Sequence, residues 1–136
     1  MGTETNRAVI VEDSSQMREL IKMALRSSGI TDITEAENGA DAIDLIKSRG
    51  ADIVIMDWMM DVMDGMECTR QIRAGIEGVD PKTPIILLTG MVSEESEAAA
   101  YAAGADLFMG KPFSLKQMFN GVMKILRDQQ CEAVTA

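Results

Sequence analysis

The chain has no histidine, and that absence removes much of enzyme chemistry before any motif is read. Imidazole bases and His-ligated metal centres are excluded. Its two cysteines, Cys68 and Cys131, stand in different segments without metal-type spacing. They are expected as reduced thiols, not as a disulfide framework. Basic charge is also scarce: 13 Lys and Arg against 22 Asp and Glu leave a net charge of −9. This argues against nucleic acid as a direct partner, since such a module needs a basic face. No apolar run approaches ~18 residues, so no transmembrane helix is predicted. Residues Met1 to Arg7 lack the basic-then-apolar order of a secretory leader. The cytoplasm is the expected compartment. A chain of 136 residues suits one domain with a full core, and no Gly/Ser/Pro linker or composition shift marks a second.

What is present is a set of short apolar runs that end in polar residues. Ile53-Val54-Ile55-Met56 reads as a strand buried on both faces, and it stops on Asp57. Ala8-Val9-Ile10-Val11 likewise ends in Glu12-Asp13, and Ile85-Ile86-Leu87-Leu88 ends in Thr89-Gly90. Leu107-Phe108-Met109 runs to Lys111-Pro112, while Ile33-Thr34-Glu35-Ala36 alternates as an edge strand would. Amphipathic segments separate these runs. Met17, Leu20, Ile21, Ala24 and Leu25 follow an N-capping Ser14-Ser15 pair at helical spacing, and Gly29 closes that helix. A second helix after Asn38-Gly39 carries Ala42, Leu45 and Ile46 and ends at Gly50. A third starts near Gly65 with Ile72 and Ile76 inward. Ser93 caps an alanine-rich fourth helix with Glu94, Glu95 and Glu97 in its first turn, where acids suit the helix dipole. Its small residues, with Tyr101 among them, are explained most simply by helix propensity. Ser114 caps a fifth, with Leu115, Met118, Phe119, Val122 and Leu126 on one face. Residues 128–136 are expected to form a tail. Five strands alternating with five helices predict an α/β doubly wound parallel sheet.

In such a sheet the carboxyl ends of the strands converge, and ligands bind there. That edge collects Glu12, Asp13, Asp57, Thr89 and Lys111. Three carboxylates in one place repel, by about 4 kcal/mol for two charges at ~4 Å and an effective dielectric near 20. Such a cluster holds protons or binds a cation. Oxygen ligands without His or Cys favour a hard ion such as Mg²⁺. A lysine and a hydroxyl beside it suit a phosphoryl group, and a carboxylate can serve as nucleophile. Taken singly, each residue has a plainer role: Asp64-Gly65 is a common turn pair, and Met59, Met60, Met63 and Met66 are expected as packing beneath the loop. Their co-occurrence at one edge is what carries the functional reading.

From Arg7 to Arg127 the sequence resembles the receiver domain of bacterial two-component response regulators, with residues 128–136 as a C-terminal tail. Val11-Glu12-Asp13 is similar to the family's acidic pair. Asp57-Trp58-Met59-Met60-Asp61-Val62-Met63-Asp64-Gly65 resembles its Asp-x-x-Met-Pro-x-Met-Asp-Gly. Leu88-Thr89-Gly90 is similar to its Thr/Ser-Ala step, and Gly104 to Phe113 resembles its Gly-Ala-Asp-x-Tyr/Phe-Leu-x-Lys-Pro-Phe. The resemblance implies a flavodoxin-like (βα)5 fold with strand order 2-1-3-4-5, the order for which the chemotaxis regulator is a standard example. It implies Asp57 as phosphoacceptor, with Mg²⁺ held by Asp13, Asp57 and the backbone carbonyl of Met59, and by Glu12 through water. It also implies Lys111 and Thr89 as phosphoryl partners, a cis Lys111–Pro112 peptide, and a switch of Thr89 with Phe108.

Three positions depart from the pattern: Asp61 where Pro is usual, Gly90 for Ala, and Phe108 for Tyr. The expected function is a stand-alone regulator, monomeric, phosphorylated by a histidine kinase or phosphotransfer protein. Its output is expected through protein contacts at the face of the fourth helix, fifth strand and fifth helix. It is not expected to be an enzyme beyond self-phosphorylation and autodephosphorylation. The alternatives are a phosphate sink or phosphorelay intermediate and, lower, an aspartyl-phosphate phosphohydrolase. Such hydrolases carry Asp-x-Asp, whereas Trp58 and Met59 follow Asp57 here.

Overall fold

The computed structural model describes residues 6–60 and 62–135, with side chains through Gln129. Its elements follow in strict alternation: β1 Arg7–Val11, α1 Ser15–Ser27, β2 Asp32–Ala36, α2 Gly39–Arg49, β3 Ile53–Asp57, α3 Gly65–Ala74, β4 Ile85–Thr89, α4 Glu94–Ala103, β5 Leu107–Gly110 and α5 Leu115–Thr135. The five strands form one parallel sheet in the order β2-β1-β3-β4-β5. This is the flavodoxin-like fold expected from the sequence. The strands β3 and β4 lie inside the sheet and are buried along their whole length. The alternating β2 is an edge strand. The short β5 forms the opposite edge, so it too is a boundary strand that carries part of the carboxyl edge.

Side chains alternate between two cores, one on each face of the sheet. Val9, Val11, Val54, Met56, Ile85 and Leu87 point to the face covered by α2, α3 and α4. Ala8, Ile10, Ile53, Ile55, Ile86 and Leu88 point to the face covered by α1 and α5. The largest of these side chains are completely buried, each worth about 1.5–3 kcal/mol of burial free energy.

The helix starts are capped. Ser14 accepts from the Met17 amide, Asn38 from Asp41 and Asp64 from Glu67. Ser93 and Ser96 form a reciprocal box at α4, and Ser114 and Gln117 form another at α5. At the amino edge Arg73 donates to the carbonyls of Gly104, Pro81 and Thr83 at 2.8 Å and pairs with Asp106 at 2.7 Å. It thereby ties α3 to the starts of β4 and β5.

Several local expectations are corrected. Ile76 lies past the end of α3 and forms an isolated bridge with Val79, because Gly75 ends the helix at positive φ. Leu115, in the first turn of α5, is more than one-third exposed, whereas Ile125, nearly three turns on, is buried. Residues 128–135, expected as a tail, continue α5 to Thr135. Gln129, Gln130, Glu132 and Ala133 favour helix, and an i,i+4 pair between Lys124 and Asp128 (3.1 Å) supports the start of that extension. Met66 is buried and Met60 and Met63 pack against the core, but Met59 is 69% exposed. Asp61 lies outside the described residues, as does the side chain of Cys131.

Candidate functional site

The sheet brings the sequence-predicted polar residues to its carboxyl edge. Val11 of β1 is registered with Met56 of β3, so Glu12 and Asp57 leave adjacent strands side by side. Carboxylate oxygens of Glu12, Asp13 and Asp57 lie within 4.8 Å of one another. Lys111 arrives from the end of β5, and its Nζ donates to Glu12 Oε1 at 3.1 Å, Glu12 Oε2 at 3.3 Å and Asp57 Oδ2 at 3.2 Å. Glu12 and Asp57 are buried while Asp13 is exposed, so the group has one open flank.

These contacts give the site its electrostatic balance. Burial of Lys111 acts to lower its pKa, but the hydrogen bond to Glu12 and the charges of Asp57 and Glu12 outweigh it and hold the ammonium above its usual range. One cation thus shares two buried carboxylates. A third carboxylate remains for an ion entering from the open side, and an all-oxygen donor set fits Mg²⁺.

The loops are fixed by backbone contacts. The Trp58 amide donates to Leu88 O (2.8 Å), Gly65 N to Trp58 O (2.9 Å) and Met59 N to Asp57 Oδ1 (3.3 Å). A Cβ at Gly65 would collide with the Asp57 carbonyl oxygen and crowd Leu87 Cδ2 at 3.0 Å, so the β3–α3 loop closes over Asp57 only with glycine there. Asp64, read from sequence as half of a turn pair, is the cap of α3; the acid at Glu67 three residues on was the available signal.

Thr89 is buried, and its Oγ1 accepts from the Met91 amide at 3.0 Å, which leaves its hydroxyl proton for an acceptor. A Cβ at Gly90 would meet open space, so packing does not require this departure. Phe108 of β5 is half-buried against the same core as Ala99 and Ala103 of α4. The Lys111–Pro112 peptide is cis.

Sequence reasoning missed Arg18. Its NH1 donates to the Glu12 carbonyl at 2.9 Å, and its Nε lies 2.7 Å from Glu35 Oε1. A cation in the first turn of α1 opposes the helix dipole, and that misfit was the signal in the sequence.

The chain belongs to the response regulator receiver domain family, whose model matches residues 8–123. It is 33% identical over 121 residues to the response regulator MprA of Mycobacterium sp. (strain KMS), covering 89% of this chain and 50% of that protein. The chain therefore spans about half the length of the curated relatives it matches. Among solved structures it is similar to the receiver domain of Francisella response regulator 1452, with 26% identity, a TM-score of 0.81, and coverage of 92% of this chain and 99% of that one. The chemotaxis protein CheY4 of Vibrio cholerae is similar at 25% identity and a TM-score of 0.78, over 90% of this chain and 99% of that one. Receiver domains are signalling modules of two-component systems that interact with histidine kinases and output domains, and they bind Mg²⁺ through an acidic cluster. The cluster here is Glu12, Asp13 and Asp57. Among the described residues no helix is long and apolar enough to cross a membrane.

Proposed function

We propose that Asp57 accepts a phosphoryl group from a histidine kinase or phosphotransfer protein in a Mg²⁺-dependent reaction, within a receiver unit spanning residues 7–127. The observation that carries this reading is the Lys111 ammonium bridging Glu12 and Asp57 at the carboxyl edge. An Asp57 carboxylate oxygen attacks phosphorus and forms the O–P bond. The N–P bond to the donor imidazole breaks, and its electron pair stays on the ring nitrogen. Mg²⁺, held by Asp13, Asp57 and the Met59 carbonyl with Glu12 acting through water, would supply positive charge to the phosphoryl oxygens. Lys111 exchanges part of its pairing for a phosphoryl oxygen, and the Thr89 hydroxyl donates to another. Drawing Thr89 inward shifts Phe108 and biases the face formed by α4, β5 and α5, where the output protein docks. Support comes from α4 itself: Ala100 is its one fully buried side chain, so little packing holds it in a single position.

The test is intact-protein mass after incubation with a small-molecule phosphodonor and MgCl₂, beside Asp57→Asn. The expected result is one phosphoryl group gained, dependent on Mg²⁺ and lost in the variant. A wild-type chain that gains none from either this donor or a phosphorylated kinase would overturn the reading.

A further inference from the structure

We propose that Arg18 is a positioning residue for the acidic loop, holding Glu12 and Asp13 in the geometry that receives the divalent cation; the inference rests on the Mg²⁺-dependent reading above. Glu12 lies one residue beyond β1, so its carbonyl is outside the strand ladder. Arg18 NH1 donates to that oxygen at 2.9 Å. The same guanidinium is ion-paired with Glu35 of β2, whose Oε1 lies 2.7 Å from Nε, although the angle there does not make a hydrogen bond, so this link acts through charge. Lys22, one turn further along α1, occupies the other oxygen of Glu35 at 2.7 Å and reaches Glu19 at 3.2 Å. An edge-strand carboxylate therefore sits between two cations of α1 as an ion pair to each, and one of them, Arg18, hydrogen-bonds the backbone from which the Glu12 side chain departs.

On the far side of that backbone the Glu12 carboxylate is fixed by the Ser14 amide at 3.0 Å and by Lys111. The strap runs Glu35, Arg18, Glu12 carbonyl, Glu12 carboxylate. Removing a link leaves the carboxylates present but their loop freer, and supporting partners of this kind are worth about 10–100-fold in metal affinity.

Charge alone predicts the opposite sign for Arg18, which makes the inference decidable. Deleting a cation near a cation site would tighten Mg²⁺ binding by Coulomb's law, whereas loss of positioning weakens it. The experiment is an amide NMR titration of the full chain with MgCl₂, following Asp13, Ser14 and Asp57, for wild type, Arg18→Gln, Glu35→Gln and the double variant. Arg18→Gln is expected to weaken binding about tenfold. Glu35→Gln is expected to weaken it less, and to add nothing once Arg18 is replaced. In metal-free protein the Ser14 amide should exchange faster in both single variants. This readout does not depend on metal and would stand on Glu35→Gln alone if Arg18→Gln failed to fold.

Equal or tighter binding in Arg18→Gln, additive effects, or unchanged Ser14 exchange in Glu35→Gln would overturn the proposal while leaving the receiver reading intact. A wild type without saturable Mg²⁺ shifts would overturn both.

Discussion

Replacing Lys111 with Met keeps the unbranched stem but for its terminal atom and removes the ammonium that contacts both Glu12 and Asp57. Three oxygens lose the ammonium as a donor at 3.1, 3.2 and 3.3 Å, Glu12 Oε2 keeping the Ser14 amide, and two buried carboxylates are left facing each other. Breaking a fully buried ion pair from one side costs about 3–5 kcal/mol. The Lys111 side chain retains 20% exposure and the edge admits water, so a loss of about 2–3 kcal/mol is expected. At about 2.1 cal/mol/K per residue the unfolding entropy of 136 residues is near 0.29 kcal/mol/K, which converts this loss to a fall in Tm of about 7–10 °C.

Two controls make the cause identifiable. Saturating MgCl₂ offers the carboxylates another cation, so the gap between wild type and variant should narrow. The folded-state pKa of Lys111 is raised, so its stabilisation is fully present below the ordinary lysine range and is lost as pH rises through the higher folded value. Between pH 6 and 9 this group should contribute no slope to the gap. The assay is thermal unfolding by circular dichroism in chelated and Mg²⁺ buffers. A variant melting within about 2 °C of wild type without metal, or a gap unaffected by MgCl₂, would refute the reasoning.

Gly65→Ala should cost about 1–3 kcal/mol and slow phosphorylation, because its Cβ collides with the Asp57 carbonyl oxygen and displaces the loop over the acceptor. Chemical denaturation beside a phosphorylation time course checks both effects; a neutral change in each would show that the loop absorbs the methyl. Cys68 should resist alkylation in the native protein at pH 8: burial, with the Asp64 charge adding, pushes its thiol up to about 12, so almost none is thiolate. Peptide-resolved labelling by iodoacetamide, native against urea-unfolded, reads this directly, and rapid native labelling at Cys68 would contradict it.

The parts of this molecule legible in its sequence are those set by local pattern. Continuous apolar runs announced β3 and β4 as interior strands, and the alternation of β2 announced an edge. Polar residues ending separate runs announced one edge of the sheet, because parallel topology aligns strand ends. The strand order itself came from resemblance, since periodicity does not state which parallel strands are neighbours. Ile76 was misplaced because an apolar residue at helical spacing looks the same inside a helix as just beyond a glycine stop. Leu115 was misplaced because spacing marks a helix face but not how far the packing partner extends. The partners of Glu12 were least legible: Lys111 stands 99 residues away and Arg18 acts on a backbone atom, which leaves no side-chain pattern to read.

The two cations act on opposite sides of one residue, and this division constrains how the site can change state. Lys111 contacts the Glu12 carboxylate, within reach of an incoming phosphoryl group, so that contact is exchangeable. Arg18 contacts the Glu12 carbonyl and is held by an edge-strand acid outside the site, so nothing arriving at Asp57 competes for it. If Asp57 is phosphorylated as proposed, redistribution of charge at the carboxyl edge is expected to free Lys111 first, while β1 and α1 stay fixed. Under that reading the compliant side of the site is expected at the end of β4, the end of β5 and α4, and the packing of α4 itself rests on small side chains, with Ala100 the buried one. Asp57→Asn makes this testable before any partner is known: removing one carboxylate shifts Lys111 toward Glu12 alone. Amide shifts should then concentrate at Thr89 to Val92 and Phe108 to Lys111. Shifts centred on α1 instead would place the compliant side of the site at the other helix.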